Sequence, residues 1–388
     1  MPPQSPASPV PSERILIRGV NWLGDAVMST PALLRLREAR PQAHITLLTP
    51  EKLKDLWPRH PAIDAVQSFA DGESPWRIGR RLRREKFDVG LIFPNSPRSA
   101  LELWFAGIPQ RIGYSRPWRN WLLTRSIPSR ANEVSMRKRS APEIQRLVQN
   151  GPTSAQSLPD SAHHIHQYLH LTAALGANPA PLAPRLEISE KQVANFVARF
   201  NLIPNPAEPP LWFGLNAGAE YGPAKRWLED RFIEAAIQIQ RLTRCRWLIF
   251  GLKKERETAI RIASNIYRAT EDLFGTEEVE KNPHVIQLAG RTNLVELCAA
   301  LKFCRVLLTN DSGPMHVAAA LGTPVVVPFG STSPELTGPG LPGDLRHHLL
   351  RANASCSPCF LRECPIDFRC MKDISVETVV RAVLRDAR

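Results

Sequence analysis

The chain has 388 residues, 43% hydrophobic and 22% charged, which suits a soluble globular protein with room for two separate cores. Lys and Arg outnumber Asp and Glu by 50 to 37, a formal charge of +13 that attracts polyanions: nucleic acid, an anionic membrane or an acidic glycolipid. No run of 18 apolar residues occurs, which excludes a membrane-spanning helix, and no recognised nucleic-acid motif or aromatic-interleaved single-strand pattern is evident.

In chain order, "MPPQSPASPVPS" lacks the apolar centre of a signal peptide and reads as a disordered tail over residues 1–12, an expectation that places the protein in the cytoplasm. The stretch "ILIRGVNWLGDAVMSTPALLRLR" at 15–37 then reads as a buried strand, a glycine-bearing turn and a helix start. That layout ordinarily makes a phosphate site. Here Gly24-Asp25 puts a carboxylate where the phosphate would sit, and Gly19 to Gly24 lacks the middle glycine of a dinucleotide fingerprint. This counts against a nucleotide-dependent oxidoreductase. The helix end favours the ionised carboxylate, suited to accept a proton from a hydroxyl. A plain helix-start aspartate is the structural alternative. Pro31 either kinks the helix or begins it afresh after Thr30.

Strands are expected at 14–20, 44–49, 66–70, 87–93 and 111–114, with helices at 31–39 and 76–84 among them. A second set follows, with strands at 211–216, 246–251, 285–289, 306–309 and 324–329. Helices at 230–242, 255–267, 294–303 and 314–321 alternate with those strands. Strand–helix alternation of this kind predicts parallel sheets covered on both faces, so two doubly wound α/β domains. Proline-dense stretches around "GANPAPLAPRLEIS" and "NLIPNPAEPP" flank a helix at 190–200 and place the boundary near residue 185. Two such domains imply a cleft with ligands at the carboxyl ends of the strands, and the final helix, 376–386, can pack back across it.

The strongest local signal is "LLTNDSGPMHVAAALGTPVVVPFG". A strand ends at Asn310-Asp311, Ser312-Gly313 turn, Pro314 suits a first helical position, and Gly322 stops a short helix. So short a helix is worth most for its N-terminal amides, which can take a pyrophosphate, with His316 adding a donor. The second signal, "LNAGAEYGPAKRW", follows a strand. Gly218 and Gly222 permit close backbone approach, and Lys225 can meet a phosphate as a point charge. It is not a P-loop, which counts against a P-loop kinase or ATPase. Two phosphate-friendly loops in one domain suggest a nucleotide diphosphate between them, with Glu255 and Asp311 accepting from ribose or sugar hydroxyls.

Of seven cysteines, Cys245, Cys298 and Cys304 sit in apolar contexts and read as packing residues. Cys356, Cys359, Cys364 and Cys370 crowd together, so reduced packed thiols and a structural metal clip both stay open, although the spacing fits no standard zinc motif. His166 and His170 share a helix face, where the ordinary reading is structural.

The motifs "NWLGDAVMSTPAL", "AGAEYGPAKRW", "LTNDSGPMHVAAALGTPVV" and "CSPCFLRECP" together resemble the ADP-heptose:lipopolysaccharide heptosyltransferases of glycosyltransferase family 9, closest to the type II enzymes. The resemblance spans nearly the whole chain after the tail. It implies a GT-B fold, with an acceptor domain over 13–185 and a nucleotide-sugar domain over 186–388. It implies inverting, metal-independent transfer of L-glycero-D-manno-heptose from ADP-heptose to an anionic lipopolysaccharide inner core, without a cofactor. The protein would act as a monomer at the cytoplasmic face of the inner membrane. By motif position, Asp25 corresponds to the general base, with Asn21 and Gly24 on the acceptor side, and Lys225 to the lysine that neutralises the diphosphate. Gly218, Glu255, Asp311, Ser312, Gly313, Pro314, Met315 and His316 correspond to donor-binding positions. The region 130–170 is poorly anchored by the resemblance. A basic nucleic-acid-binding protein with a Rossmann-like core is the rival from another class. It would use neither Asp25 nor Lys225.

Overall fold

The structure is a computed structural model and describes residues 12–131, 133–151, 158–203, 207, 209–274 and 283–387. The tail expected at 1–12 lies almost wholly outside the described residues.

Two six-stranded parallel sheets carry the fold. The first contains β1 (Arg14–Arg18), β2 (His44–Pro50), β3 (Ala65–Phe69), β4 (Val89–Ile92), β5 (Gln110–Tyr114) and β6 (Arg125–Ile127), in the order β3-β2-β1-β4-β5-β6. The second contains β7 (Trp212–Asn216), β8 (Arg246–Ile249), β9 (Val285–Gln287), β10 (Leu307–Thr309), β11 (Val325–Phe329) and β12 (His348–Arg351), in the order β12-β11-β10-β7-β8-β9. Both are doubly wound: the order reverses beside the first strand of each set, and right-handed crossovers then send helices to opposite faces. The central strands are covered on both faces, so they read as continuous apolar runs; every residue of β7 and β11 is buried. The edge strands β6 and β12 are missing from the sequence reading. Both are short and partly exposed, with no apolar run to announce them.

In the first unit α3 (Pro75–Leu82) and α4 (Pro97–Phe105) lie over the sheet, burying Ile78, Leu82, Ala100 and Leu103 against Leu16, Leu48 and Ile92. Serine caps start both helices, with proline in the first turn. The chain begins its helical layer with α1 (Leu23–Met28) and α2 (Thr30–Ala39), so Pro31 falls in the first turn of a new helix and does not kink one long helix. Ser29 and Thr30 close the end of α1 by donating to the carbonyls of Ala26 and Val27, both at 2.8 Å.

Two further helices, α5 (Ala141–Gln149) and α6 (Ile165–Ala173), arise from the region between the two strand sets. The second unit holds α7 (Glu190–Phe200), α8 (Glu229–Thr243), α9 (Arg256–Thr270), α10 (Leu294–Phe303), α11 (Gly313–Ala320), two single turns α12 (Pro334–Thr337) and α13 (Arg369–Lys372), and α14 (Val376–Asp386). Its core joins Phe213, Trp247 and Val326 of the sheet to Phe232 and Ile239 of α8 and Val379 and Val383 of α14. The final helix therefore packs on α8, within this unit.

By contacts, the described residues up to Asn21, with Pro31–Ala131 and Gln167–Ala180, form one compact unit. Trp22–Thr30 and the described parts of 132–166 and 181–388 form the other. The α1 segment thus leaves the sheet it follows and belongs with the second.

Candidate active site

The second sheet reverses its order between β7 and β10, which pair in parallel with Leu308 beside Leu215 and Thr309 beside Asn216. The loops leaving these two strands part at that point and open the crevice where ligands of such sheets bind. Side-chain amides stitch its floor. Asn216 Nδ2 donates to Thr309 Oγ1 at 3.0 Å and to Ser312 Oγ at 3.1 Å. Asn310 Nδ2 donates to the Ala217 carbonyl at 2.7 Å, while its Oδ1 accepts from the Trp227 amide at 2.8 Å. Neither asparagine was singled out from the sequence; the available signal was an amide at the end of each of two strongly apolar strands.

The crevice holds a charge pair, Asp311 buried and Lys225 partly so. Lys225 Nζ lies 2.7 Å from Asp311 Oδ2, at 15% and 5% side-chain exposure, and Thr332 Oγ1 donates to the same oxygen at 2.6 Å. Lys225 is brought there by the single 3-10 turn Pro223–Lys225 and sits 5.1 Å from the Tyr221 ring centroid, with Arg362 5.3 Å from the same ring. So Lys225 and Asp311, read separately from sequence, are direct partners. Tyr221, Thr332 and Arg362 complete a cluster that the motifs did not reveal.

Glu255 sits just before α9, where one carboxylate oxygen accepts from the Leu252 amide at 2.9 Å and the other lies 3.6 Å from Arg226 Nη2. A Cβ at Gly218 would fall inside that carboxylate, so only glycine allows the approach. Beside them opens a cavity of about 560 Å³ lined by Gly218, Trp227, Phe250, Glu255, Ile262 and Phe368. Its size and its largely apolar walls, with Glu229, Glu255 and Glu363 among the lining, suit a nucleoside.

Ser312 occupies the N-cap position of α11, but its side chain makes no cap bond; Asn216 and Thr309 engage its hydroxyl instead. Among the described residues, then, no side-chain cap occupies the first-turn amides. Pro314 stands in the first turn as expected. Met315 is fully buried, so only its backbone can meet a ligand at this turn. His316 is 5% exposed, and burial pushes its imidazole down to about 4. It is therefore a neutral ring near pH 7 and can donate one N–H without adding charge.

Helix α1 packs directly on α11. A Cβ at Gly24 would stand 2.7 Å from His316 Cδ2, and one at Gly313 would stand 3.0 Å from the Leu23 side chain. Two glycines, one on each helix, thus set the closeness of this contact. Asp25 lies half-buried in the first turn of α1, whose N-cap residue Trp22 makes no side-chain cap bond. Gly24 and Asp25 therefore share one compact body with the turn at 310–316. Asn21 belongs to the first unit, where its Oδ1 accepts from Arg18 Nη1 at 3.0 Å.

Cys356, Cys359, Cys364 and Cys370 line one small cavity with Ile366 and Phe368. Among the described residues no group of three or more His, Cys, Asp or Glu side chains is placed to hold a metal ion. Burial raises the Cys356 and Cys359 thiols and pushes Cys370 up to about 12, which favours neutral, packed thiols. His170 Nδ1 instead meets the Tyr114 hydroxyl at 3.1 Å, a structural contact. Sequence reasoning left the neighbouring His163 and His164 unread. His163 Nε2 lies 3.0 Å from the Gly338 carbonyl, and the His164 amide donates to Leu336 at 2.8 Å, fastening this segment beside α12.

Residues 122–368 match the pattern of a family described as glycosyltransferase family 9 (heptosyltransferase). The chain is 30% identical over 334 residues to lipopolysaccharide heptosyltransferase 2 of Escherichia coli K12, covering 84% of this chain and 85% of that protein. It is also 30% identical over 339 residues to its namesake in Salmonella typhimurium, with 84% and 85% covered. Among solved structures it is similar to E. coli ADP-heptose LPS heptosyltransferase II, with a TM-score of 0.73 at 26% identity over 96% of this chain and 98% of that one. The two doubly wound sheets are those of the GT-B fold.

Proposed function

Because the chain belongs to glycosyltransferase family 9, we propose that it transfers L-glycero-D-manno-heptose from ADP-heptose to the heptosyl-Kdo2-lipid A inner core of lipopolysaccharide, with inversion and without a metal. The observation that supports the reading is the contact of α1 with α11, which puts a carboxylate-bearing helix start and a helix start with uncapped amides in one body.

In this reading the adenosine enters the cavity at Gly218 and Trp227, and Glu255 accepts from its ribose hydroxyls. The diphosphate meets the first-turn amides of α11. Lys225 turns part of its charge from Asp311 to the phosphate oxygens, and the neutral His316 ring adds a hydrogen bond. Asp311, freed in part from Lys225, accepts from a heptose hydroxyl. Asp25 takes the proton of the acceptor hydroxyl, whose oxygen attacks the anomeric carbon while ADP leaves from the opposite face. The leaving diphosphate gains a full charge, and donors fixed before the reaction stabilise it without reorganising. No resident cofactor is required. The enzyme works as a monomer at the cytoplasmic face of the inner membrane, where its basic surface meets an acceptor carrying carboxylates and phosphates.

The test incubates the protein with ADP-heptose and either Kdo2-lipid A or its monoheptosylated form. A mass gain of one heptose on the second acceptor alone is expected. Gain on the first alone assigns a type I acceptor, and gain on neither overturns the reading.

A further inference from the structure

We propose that the outer face of the α3–α4 layer is a docking surface for an anionic lipid membrane. Four tryptophans project from this one region of the first unit: Trp76 on α3 is 51% exposed, Trp104 on α4 44%, and Trp118 and Trp121, in the segment after β5, 86% and 69%. The elements that bear them are packed together. A Cβ at Gly79 of α3 would collide with Phe105 of α4, and the turn Asn120–Leu122 packs on α4. Trp104 and Trp121 meet edge to face with ring centroids 6.4 Å apart, and Trp104 meets Phe105 at 5.0 Å. Trp118 holds a left-handed backbone, φ 64°, which is strained for a bulky side chain and leaves the ring in solvent. Folding alone gives no reason to expose so much aromatic surface; an interfacial environment does, since amphipathic indole rings settle at the headgroup level.

The charge around these rings selects the surface. Arg77, Arg80, Arg83 and Arg84 are exposed and have no carboxylate partner among the described residues. Arg80 lies over the Trp76 ring at 5.4 Å, and Arg83 reaches toward Gly107 at the end of α4. Two carboxylates flanking α3 are taken: Glu73 by Arg81 at 2.9 Å, Glu85 by Arg14 at 2.9 Å. Ile78 and Leu82 fix which way α3 faces, because both are fully buried on the sheet side. Aromatic rings with unneutralised arginines complement negatively charged headgroups. Trp104 and Trp121 pack edge to ring against each other, forming a ridge and not a row of open faces for stacked bases. The choice of a lipid surface over a nucleic acid rests also on the glycolipid acceptor proposed above.

Co-sedimentation with phosphatidylcholine vesicles, with and without phosphatidylglycerol, tests this on the full chain. Binding is expected only with phosphatidylglycerol and should weaken with salt. A Trp104→Ala/Trp121→Ala variant and an Arg80→Ser/Arg83→Ser/Arg84→Ser variant, each with an unchanged circular-dichroism spectrum, are expected to lose binding, the second by about a hundredfold. Both should retain transfer to a soluble, deacylated acceptor and lose it on acceptor embedded in vesicles. Equal binding to neutral vesicles, or full binding by either variant, overturns the proposal. Binding to single-stranded RNA that both variants abolish, with no vesicle binding, overturns it in favour of a nucleic acid. Vesicle binding is read without donor, so a failure of heptose transfer leaves this result separate.

Discussion

The two sheets share one winding and differ in what fills the crevice at their reversal points. In the first, β1 ends at Arg18, whose Nε lies 2.6 Å from Glu102 Oε2 with both side chains buried, and whose guanidinium lies 4.5 Å from the Phe69 ring centroid. A salt bridge plugs that position. In the second, β7 ends in Asn216 and Asn310 follows β10, small residues come next, a lysine–aspartate pair joins the two loops, and a cavity opens beside Gly218 and Glu255. One topology thus supplies two crevices, and side chains fill one and leave the other open. The segment Trp22–Thr30 groups with the unit that holds the open crevice.

The sharpest way to break this contrast is at Asp25. Asp25→Asn is expected to lower transfer by roughly 10³- to 10⁴-fold, a general base's usual share or somewhat more, with ADP affinity unchanged by calorimetry. A variant retaining most of its activity would remove Asp25 from that role. Next, Glu102→Gln leaves Arg18 buried without its counter-charge. Denaturant unfolding should show a loss of about 3–5 kcal/mol, with ADP binding intact in the protein that remains folded. Weakened ADP binding in that folded fraction would mean that the first crevice is not merely structural.

Acid sensitivity should differ between the units as well. Burial holds His163, His316 and His347 of the second unit, and His60 of the first, near 4. Their unfolded forms take a proton near 6.5, so each contributes stability that is full above pH 6.5 and lost as pH falls toward 4. The loss is roughly 3 kcal/mol per histidine. Hydrogen exchange should report the second unit opening first over that window, and His316→Gln should flatten its acid limb.

Smaller effects follow at the open crevice. Lys225→Ala is expected to weaken ADP binding by about ten- to a hundredfold, and an unchanged affinity would leave Lys225 only its pairing with Asp311. Gly24→Ala drives a methyl against the His316 ring and should cut transfer about tenfold through displacement of α1, with ADP affinity nearly constant. A loss of ADP affinity instead would place the damage in α11.

The sequence by itself determined the two parallel sheets, because strands buried on both faces must be apolar throughout and the helices between them must be amphipathic. It also marked the helix start at Ser312–His316 and the glycine turns, where local backbone chemistry permits few residue types. It did not reveal β6 and β12, whose edge positions leave little apolar signal. Nor did it pair Lys225 with Asp311, 86 residues away, or assign Ser312's hydroxyl to Asn216 in place of the helix end. Partner choice across such separations depends on which loops the sheet order brings together. Tertiary structure alone decided that helix α1, after β1, belongs with the second unit: its contact with α11 rests on two glycines whose missing side chains are visible in the sequence, and whose matching is visible only in space.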